Sequence, residues 1–151
     1  MKKCIVTGAA GFAGANLVEL LLKEDYFVYA VVRPNSPHNC RLQASPNLQL
    51  IQQDMIEYGK LDEIISDSCD YVFHLAWQGD RYNFTEQYSN VAITLDLLKA
   101  VQRMGCKRFI VTGSQAEYGP CQNLITEEIL PQPIDAYGSA KLATCVLSRQ
   151  L

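Results

Sequence analysis

The sequence predicts an α/β fold in which about five parallel strands form a doubly wound sheet with helices on both faces. Five short strand-like segments recur along the chain, and most of them are apolar runs rich in valine, isoleucine or aromatic residues, which is typical of buried strands. Segments of helical length or periodicity alternate with these runs. Because a crossover helix must bury its apolar stripe on the sheet, the alternation favours parallel strands joined by right-handed crossovers.

The predicted elements follow one another over 151 residues. Strands are predicted at residues 3–7, 26–32, 48–52, 71–75 and 108–112. Helices are predicted at residues 12–23, 54–66, 84–104 and from 134 to the end, with a short helix near residues 40–44. In the longest helix, Val91, Leu95, Leu98 and Val101 repeat at three- and four-residue spacing, and Gly105 marks its end.

The composition is that of one ordinary globular domain, with 48% apolar residues, 19% charged residues and a net charge of −3. No basic run is present, so we expect neither nucleic acid nor an anionic membrane as a partner, although a total charge can mask a local patch. No apolar stretch approaches the ~20 residues of a membrane span. The first apolar run is too short for a signal peptide because Gly8 interrupts it, and we expect a cytoplasmic protein.

Six cysteines are spread irregularly along the chain. They are Cys4, Cys40, Cys69, Cys106, Cys121 and Cys145. None belongs to a C-x-x-C pair and no histidine stands at zinc-ligand spacing, so we expect no metal site. Such a pattern is typical of free thiols in a reducing compartment.

Three glycines, Gly8, Gly11 and Gly14, lie between the first predicted strand and the first predicted helix. The first permits a tight turn, the second lets backbone N–H groups approach a pyrophosphate, and the third lets the helix pack closely on a strand. The helix N-terminus would also favour an anion. The G-x-x-G-x-x-G spacing predicts a dinucleotide phosphate site, and the alternative is a glycine-rich turn without a ligand.

Tyr137 and Lys141 form a Y-x-x-x-K pattern on the last predicted helix. Residues four apart share one face of a helix, and an ammonium group close to a phenol favours the ionised phenol. Tyr137 is therefore a candidate acid/base for interconverting a hydroxyl and a carbonyl. The pattern is frequent by chance, but it gains specificity after a glycine loop and five alternating strands.

These features make the chain resemble the extended short-chain dehydrogenases/reductases, the family of NAD(P)-dependent nucleotide-sugar epimerases and dehydratases. Residues 7–14 match the family's Thr-Gly-x-x-Gly-Phe-x-Gly. Residues 74–77 are similar to its His-Leu-Ala-Ala, from which Trp77 departs, and we interpret His74 as a packed strand-end histidine. The resemblance covers the whole chain and implies an NAD(P)-binding Rossmann domain over residues 1–151.

The resemblance implies a cofactor site built from the glycine loop, the strand ends and two helices. Its expected members are Gly8, Gly11, Phe12, Gly14, Arg33, Asp54, Met55, Ala76, Asn90, Tyr137 and Lys141. Asp54 with Glu57 three residues later is equally typical of a helix start, in which Asp54 would be the cap. Asn90 has as its alternative an ordinary helix-face asparagine, and Ile93 stands where the family pattern has a glycine.

The end of the second strand discriminates between NAD and NADP. An acidic residue there binds the ribose 2′-hydroxyl of NAD, whereas an arginine accommodates the 2′-phosphate of NADP. Arg33 occupies this position, with Ser36 close by, so we expect NADP as the cofactor and NAD as the second choice. The alternative for Arg33 is a solvated loop arginine.

The segment at the end of the fifth strand and just after it, residues 111–119, resembles the family's Ser-Ser-x-x-x-Tyr-Gly. Alignment on its final Tyr-Gly places Ser114 at the catalytic Ser/Thr position, while Thr112 has a weaker claim. The resemblance implies that the Ser114 hydroxyl binds the reacting oxygen and Tyr137.

The residues after Ser114 argue against a dehydratase. Family dehydratases have Asp-Glu directly after the catalytic Ser/Thr, whereas this chain has Gln115 and Ala116. Glu117 stands two residues too late to be a good substitute. We therefore do not expect water elimination of that type.

The expected reaction is Tyr137-assisted hydride transfer between NADP(H) and a carbon of a nucleotide sugar, as an epimerase or a reductase. The alternative is a non-catalytic NADP-binding sensor or scaffold, or an inactive fragment. Family members continue with further strands and a C-terminal substrate domain, so we expect a truncated chain that lacks this domain. Its fifth strand would be an exposed edge, and we therefore expect association with a partner, such as a homo-oligomer.

Overall fold

The computed structural model describes residues 1–122 and 124–150. The chain divides into two compact units. Unit 1 comprises Met1–Trp77 and Asp96–Thr112, and unit 2 comprises Gln78–Leu95 and Gly113–Leu151. No helix in the described part of the chain has the length and apolar character needed to cross a bilayer.

Unit 1 contains one five-stranded sheet in which all neighbouring strands are parallel. Its strands are β1 (Lys3–Thr7), β2 (Phe27–Val32), β3 (Leu48–Gln52), β4 (Tyr71–His74) and β5 (Arg108–Val111). Their order across the sheet is β3-β2-β1-β4-β5. The predicted doubly wound α/β fold is therefore confirmed, and β5 lies at an edge as expected. Association of copies through this edge stays a prediction.

Within residues 1–122 and 124–150, four α-helices and three 3-10 turns connect and flank the strands. The helices are α1 (Phe12–Lys23), α2 (Leu61–Ile64), α3 (Phe84–Arg103) and α4 (Ala136–Ser148). The 3-10 turns are Pro37–Arg41, Met55–Lys60 and Gln115–Glu117. The first part of α3 belongs to unit 2 and its last part to unit 1.

The predicted helix over residues 54–66 differs most from the structure, which has a 3-10 turn followed by the single turn of α2. Asp54 does begin this segment as a cap, because its side chain accepts a hydrogen bond from the backbone N–H of Ile56. Gly59 lies in the middle of the segment, and glycine is a poor helix former. A Cβ at Gly59 would lie 3.2 Å from the Cβ of Asp96 on α3, so the glycine also permits close packing.

The core of unit 1 is centred on β1 and β2. Cys4, Ile5 and Val6 of β1 are fully buried, as are Val28 and Ala30 of β2. Full burial of a Val or Ile side chain contributes roughly 1.5–3 kcal/mol. The edge strands β3 and β5 are only partly buried, which agrees with helices covering the middle of the sheet on both faces.

The sheet has a topological switch point between β1 and β4, because β2 and β3 extend to one side of β1 and β4 and β5 to the other. At the carboxyl ends of these two strands, the Thr7 hydroxyl and the Nδ1 atom of His74 are hydrogen-bonded at 2.7 Å. The Ala76 N–H also donates to the Thr7 hydroxyl, at 3.4 Å. His74 is buried, so the interpretation of it as a packed strand-end histidine is confirmed.

Candidate cofactor and catalytic sites

The glycine loop of unit 1 approaches the end of β4 so closely that a side chain would not fit. Gly8 has φ +66°, in the left-handed region that favours glycine, and a Cβ there would lie 2.9 Å from the backbone N of Ala76. Ala76 itself is buried. The predicted members Gly8 and Ala76 are thus brought together at the switch point.

Gly11 and Gly14 complete the turn that begins α1. The Gly11 N–H donates to the Gly8 carbonyl at 2.9 Å, and a Cβ at Gly14 would lie only 2.2 Å from that same oxygen. The backbone therefore occupies the space that a side chain at Gly14 would need.

The N-terminus of α1 is available to an anion. Its N-cap is Gly11, and among the described residues no side chain caps this helix. The 3-10 turns that begin after Ser36 and Asp54, in contrast, are capped by those side chains. The first N–H groups of α1 are therefore open to a phosphate group, as the helix dipole favours.

Arg33 and Asp54 lie near the buried ring of Tyr58 at the carboxyl ends of β2 and β3. Burial raises the pKa of Tyr58, the Asp54 carboxylate raises it further, and the Arg33 guanidinium opposes them. Arg33 is exposed, and its carbonyl accepts hydrogen bonds from the side chain of Asn39 and the N–H of Ser36. These contacts fix the backbone at Arg33, the residue that is predicted to bind the 2′-phosphate of NADP.

Arg41 is a basic residue at the glycine loop that the sequence analysis missed. Its Nη1 donates to the Ala10 carbonyl at 3.1 Å. Phe12, 86% exposed, and Arg41 both line a groove of about 690 Å³ beside α1. Met55, another predicted member of the cofactor site, is buried at the start of the 3-10 turn Met55–Lys60.

Unit 2 positions α4 through Asp135, which caps the helix. One Asp135 oxygen accepts the N–H of Gly138 at 2.7 Å and the other accepts the Arg81 Nε at 2.5 Å. The hydrogen bond from the Gly138 N–H holds the pKa of Asp135 below its usual range, and Arg81 lowers it further. The Tyr137 N–H donates to the Arg81 carbonyl at 3.1 Å, so the start of α4 is held at several points.

Lys141 and Arg81 both lie close to the ring of Tyr137. The Lys141 Nζ lies 5.9 Å from the ring centroid and the Arg81 Cζ lies 5.4 Å from it. Lys141 is 4% exposed, and burial lowers its pKa from the ordinary 10.5 to about 8, against the opposing effect of the Glu117 carboxylate. The predicted Tyr137–Lys141 pair therefore shares one face of α4.

Ser114 and Glu117 form a capping box at the 3-10 turn Gln115–Glu117. The Ser114 hydroxyl accepts the Ala116 N–H at 3.2 Å, and the Glu117 carboxylate accepts the Ser114 N–H at 2.6 Å. A Cβ at Gly138 would lie 2.4 Å from the Ala116 carbonyl, so α4 packs directly on this turn. Ser114 and the two α4 residues are thus held by packed elements.

Glu117 is the buried acidic residue that the sequence analysis set aside. Comparison with dehydratases made it a poor substitute for their acid, but the structure makes it a brace for Ser114 and a neighbour of Lys141. The S-x-x-E spacing of Ser114 and Glu117 is the capping-box signal that could have identified it.

Asn90 is fully buried in α3 and holds the loop that follows Trp77. Its amide donates to the Gln78 carbonyl at 2.8 Å, and its carbonyl accepts the Gln78 N–H at 3.3 Å. The buried Gln87 donates to the carbonyl of Asp80 in the same loop. These contacts favour a positioning role for Asn90, and its inclusion in a cofactor site stays a prediction.

Comparisons with known proteins bear on the family and the fold of the chain. A model of the NAD dependent epimerase/dehydratase family matches residues 4–150. The 3 beta-hydroxysteroid dehydrogenase/Delta 5-->4-isomerase of Mycobacterium tuberculosis is 34% identical over 85% of this chain and 36% of its own length. Cinnamoyl-CoA reductase 1 of Petunia hybrida is 34% identical over 72% of this chain and 34% of its own length.

A solved structure of UDP-glucuronic acid 4-epimerase from Bacillus cereus in complex with NAD is similar in fold and sequence. Its TM-score is 0.80 at 29% identity, over 98% of this chain and 52% of that one. The chain thus spans about a third to a half of the length of these proteins.

Proposed function

The chain belongs to the NAD dependent epimerase/dehydratase family, and from this premise we propose that it binds NADP and acts on a nucleotide sugar by hydroxyl-assisted hydride transfer. The observation that carries the proposal is the cluster in unit 2, where Tyr137 and Lys141 share a helix face and that helix packs on the turn of Ser114. An epimerase or a reductase, rather than a dehydratase, fits Gln115 and Ala116 after Ser114.

The residues of unit 1 fit a dinucleotide. The backbone turn at Gly8 and Gly14 leaves no room for side chains, and the uncapped start of α1 offers N–H groups to a pyrophosphate. Arg33 would bind the 2′-phosphate, with Arg41 as a second cation at the loop. When bound, the nicotinamide group supplies or accepts the hydride.

The residues of unit 2 would move the proton. The Tyr137 oxygen would take the proton of a substrate hydroxyl as a carbonyl forms and would return it in the reverse direction. The Lys141 ammonium would stabilise the phenolate, and Glu117 favours the charged form of Lys141. The Ser114 hydroxyl would donate a hydrogen bond to the reacting oxygen, since its own oxygen already accepts the Ala116 N–H.

A nucleotide sugar is the substrate class that we favour, because the solved UDP-glucuronic acid 4-epimerase matches 98% of this chain. A second candidate is the oxidation or reduction of a larger alcohol or ketone. It is supported by the two relatives at 34% identity, whose names describe a hydroxysteroid dehydrogenase and a cinnamoyl-CoA reductase.

Two measurements test the proposal. Calorimetric titration should show tighter binding of NADPH than of NADH, and Arg33→Ala should remove that preference, whereas Lys60→Ala, with its exposed side chain, should retain it. Loss of one charge-assisted phosphate contact costs about 1.5–3 kcal/mol, which is roughly 10- to 100-fold in affinity. An equal or greater affinity for NADH in the unmodified chain would contradict the NADP assignment.

Turnover is then measured with panels of UDP- and GDP-sugars and of steroid and aromatic carbonyl compounds. Tyr137→Phe should abolish turnover and leave NADPH bound, because it removes only the hydroxyl, while the matched variant Tyr88→Phe, on the exposed face of α3, should remain active. Full activity of Tyr137→Phe would refute its role. Cofactor binding without turnover on any panel member would instead favour the non-catalytic alternative.

A further inference from the structure

Cys69 and Cys106 lie side by side at the amino ends of two neighbouring strands. Tyr71 of β4 pairs with Arg108 of β5, and each cysteine precedes its strand residue by two positions. The hydrogen bonding between the two strands continues one residue before β4, because the Arg108 N–H donates to the Asp70 carbonyl at 3.1 Å.

Asp70 and Lys107, the residues between the cysteines and the strands, also lie side by side. The Lys107 Nζ and an Asp70 oxygen are 2.6 Å apart, as expected for aligned positions on adjacent strands. Continuing the side-chain alternation of the two strands two positions before their first residues places both cysteines on the face opposite this ion pair. Neighbouring strands are roughly 4.8 Å apart, within the ~4.4–6.8 Å separation of Cα atoms that a disulfide accepts.

The two thiols differ in environment: Cys69 is 3% exposed, whereas Cys106 is partly exposed and its Sγ donates to the Arg108 carbonyl at 3.2 Å. The neighbouring Cys106 and burial raise the pKa of Cys69. The neighbouring Cys69 lowers the pKa of Cys106. Cys106 is therefore suited to react first with an electrophile, and Cys69 lies next to it to complete the reaction.

We propose that Cys69 and Cys106 form a redox modification site, in which a hydroperoxide converts the two thiols into an intramolecular disulfide. The site is separate from the proposed cofactor site, because it lies at the amino ends of the parallel strands whereas the glycine loop follows the carboxyl end of β1.

The reaction balances in two steps. The Cys106 thiolate attacks one peroxide oxygen, the O–O bond breaks, and the released hydroxide (or alkoxide) takes a proton, leaving a sulfenic acid. The Cys69 sulfur then attacks the Cys106 sulfur, the S–O bond breaks, and the departing hydroxide takes the Cys69 proton to leave as water. Two thiols lose two electrons in total, and hydrogen peroxide is reduced to two molecules of water.

The disulfide would fasten the edge strand β5 to β4. Without it, β5 is held in the sheet by one ladder of backbone hydrogen bonds, because β4 is its only neighbour in the described sheet. Because a disulfide restricts the unfolded chain, we expect a higher midpoint of thermal unfolding for the oxidised protein than for the reduced protein.

The test is peptide mapping of the whole chain after treatment with about one equivalent of hydrogen peroxide and alkylation. Trypsin should yield residues 61–81 linked to residues 104–107, and a dithiol reductant should reverse the link. Cys69→Ser should remove the link, because a serine oxygen cannot form a disulfide. The matched variant Cys40→Ser, at an exposed thiol, should retain the link.

Two results would overturn the proposal. One is a link of Cys69 to the buried Cys4 instead of Cys106. The other is oxidation confined to links between chains through the exposed Cys40 and Cys121, with Cys69 and Cys106 still alkylated after peroxide. Mapping of the unmodified chain decides between these results even if Cys69→Ser folds poorly.

Discussion

Replacement of Lys141 by methionine should stabilise the fold at neutral pH. Lys141 is 4% exposed and its pKa falls from 10.5 to about 8, mainly because burial disfavours the charged form. At 1.36 kcal/mol for each pKa unit, the folded state below pH 8 carries a cost of about 3 kcal/mol. Methionine keeps most of the apolar contacts without the charge, although it removes the attraction between Lys141 and Glu117. We therefore expect a net gain of about 2 kcal/mol at pH 7.

The pH dependence distinguishes this cause from simple packing. Between pH 8 and 10.5 the unfolded chain binds more protons at Lys141 than the folded chain does, so the unfolding free energy of the unmodified protein rises there relative to the variant. The advantage of Lys141→Met should thus be complete below pH 8 and should disappear by about pH 10.5.

Urea denaturation, followed by the fluorescence of Trp77 in the presence of a reductant, measures both effects. Lys99→Met is the matched control, since the Lys99 side chain is 56% exposed, and it should show no such pH-dependent gain. A Lys141→Met protein that is less stable than the unmodified protein at pH 7, or whose advantage is the same at pH 7 and pH 10.5, would refute the reasoning.

Three further predictions concern steric fit and hydrogen bonding. Gly8→Ala and Gly105→Ala both place alanine at a positive φ, which costs about 1–2 kcal/mol of stability. Only Gly8→Ala also adds a clash with the backbone, so only this variant should lose NADPH binding. Equal losses of affinity in calorimetry would contradict this. Gly138→Ala should cost about 1–3 kcal/mol in urea unfolding, because its Cβ would lie 2.4 Å from a carbonyl oxygen, and an unchanged midpoint would argue against that packing. Thr144→Val should be neutral or about 1 kcal/mol stabilising, since the buried Thr144 hydroxyl has no hydrogen-bond partner among the described residues. Thr94→Val should instead destabilise the protein, because it loses the 2.8 Å hydrogen bond to the Asn90 carbonyl. The opposite order of stability would be inconsistent with the structure.

The strands could be predicted from the sequence because most of them are short apolar runs that end at a turn or a polar residue. The region after β3 could not, since the apolar spacing after Asp54 suits either a helix or a 3-10 turn. The outcome there depends on Gly59 and on its approach to Asp96, a contact with a helix more than thirty positions later in the sequence. Local patterns contain no information about such contacts.

The candidate site residues also divide into those that a local sequence pattern predicts and those that depend on distant contacts. Gly8, Gly14 and Tyr137 belong to patterns whose spacing has a local physical reason, so they could be found without a structure. Arg41 could not, because its relation to the glycine loop depends on a single hydrogen bond across 31 positions of sequence. Glu117 was visible as part of a capping box, but its closeness to Lys141 depends on how α4 packs on the turn.

The hydrogen bond between Thr7 and His74 has a consequence for the time course of folding. It joins residues 67 positions apart, and the glycine turn that we propose to bind phosphate takes its final form only where these two strand ends meet. Contacts of such long sequence separation close loops at high entropic cost and are typically slow to form. Competence to bind a dinucleotide should therefore appear late during refolding, after the local helices, so a fluorescent cofactor would report the arrival of native topology rather than early collapse.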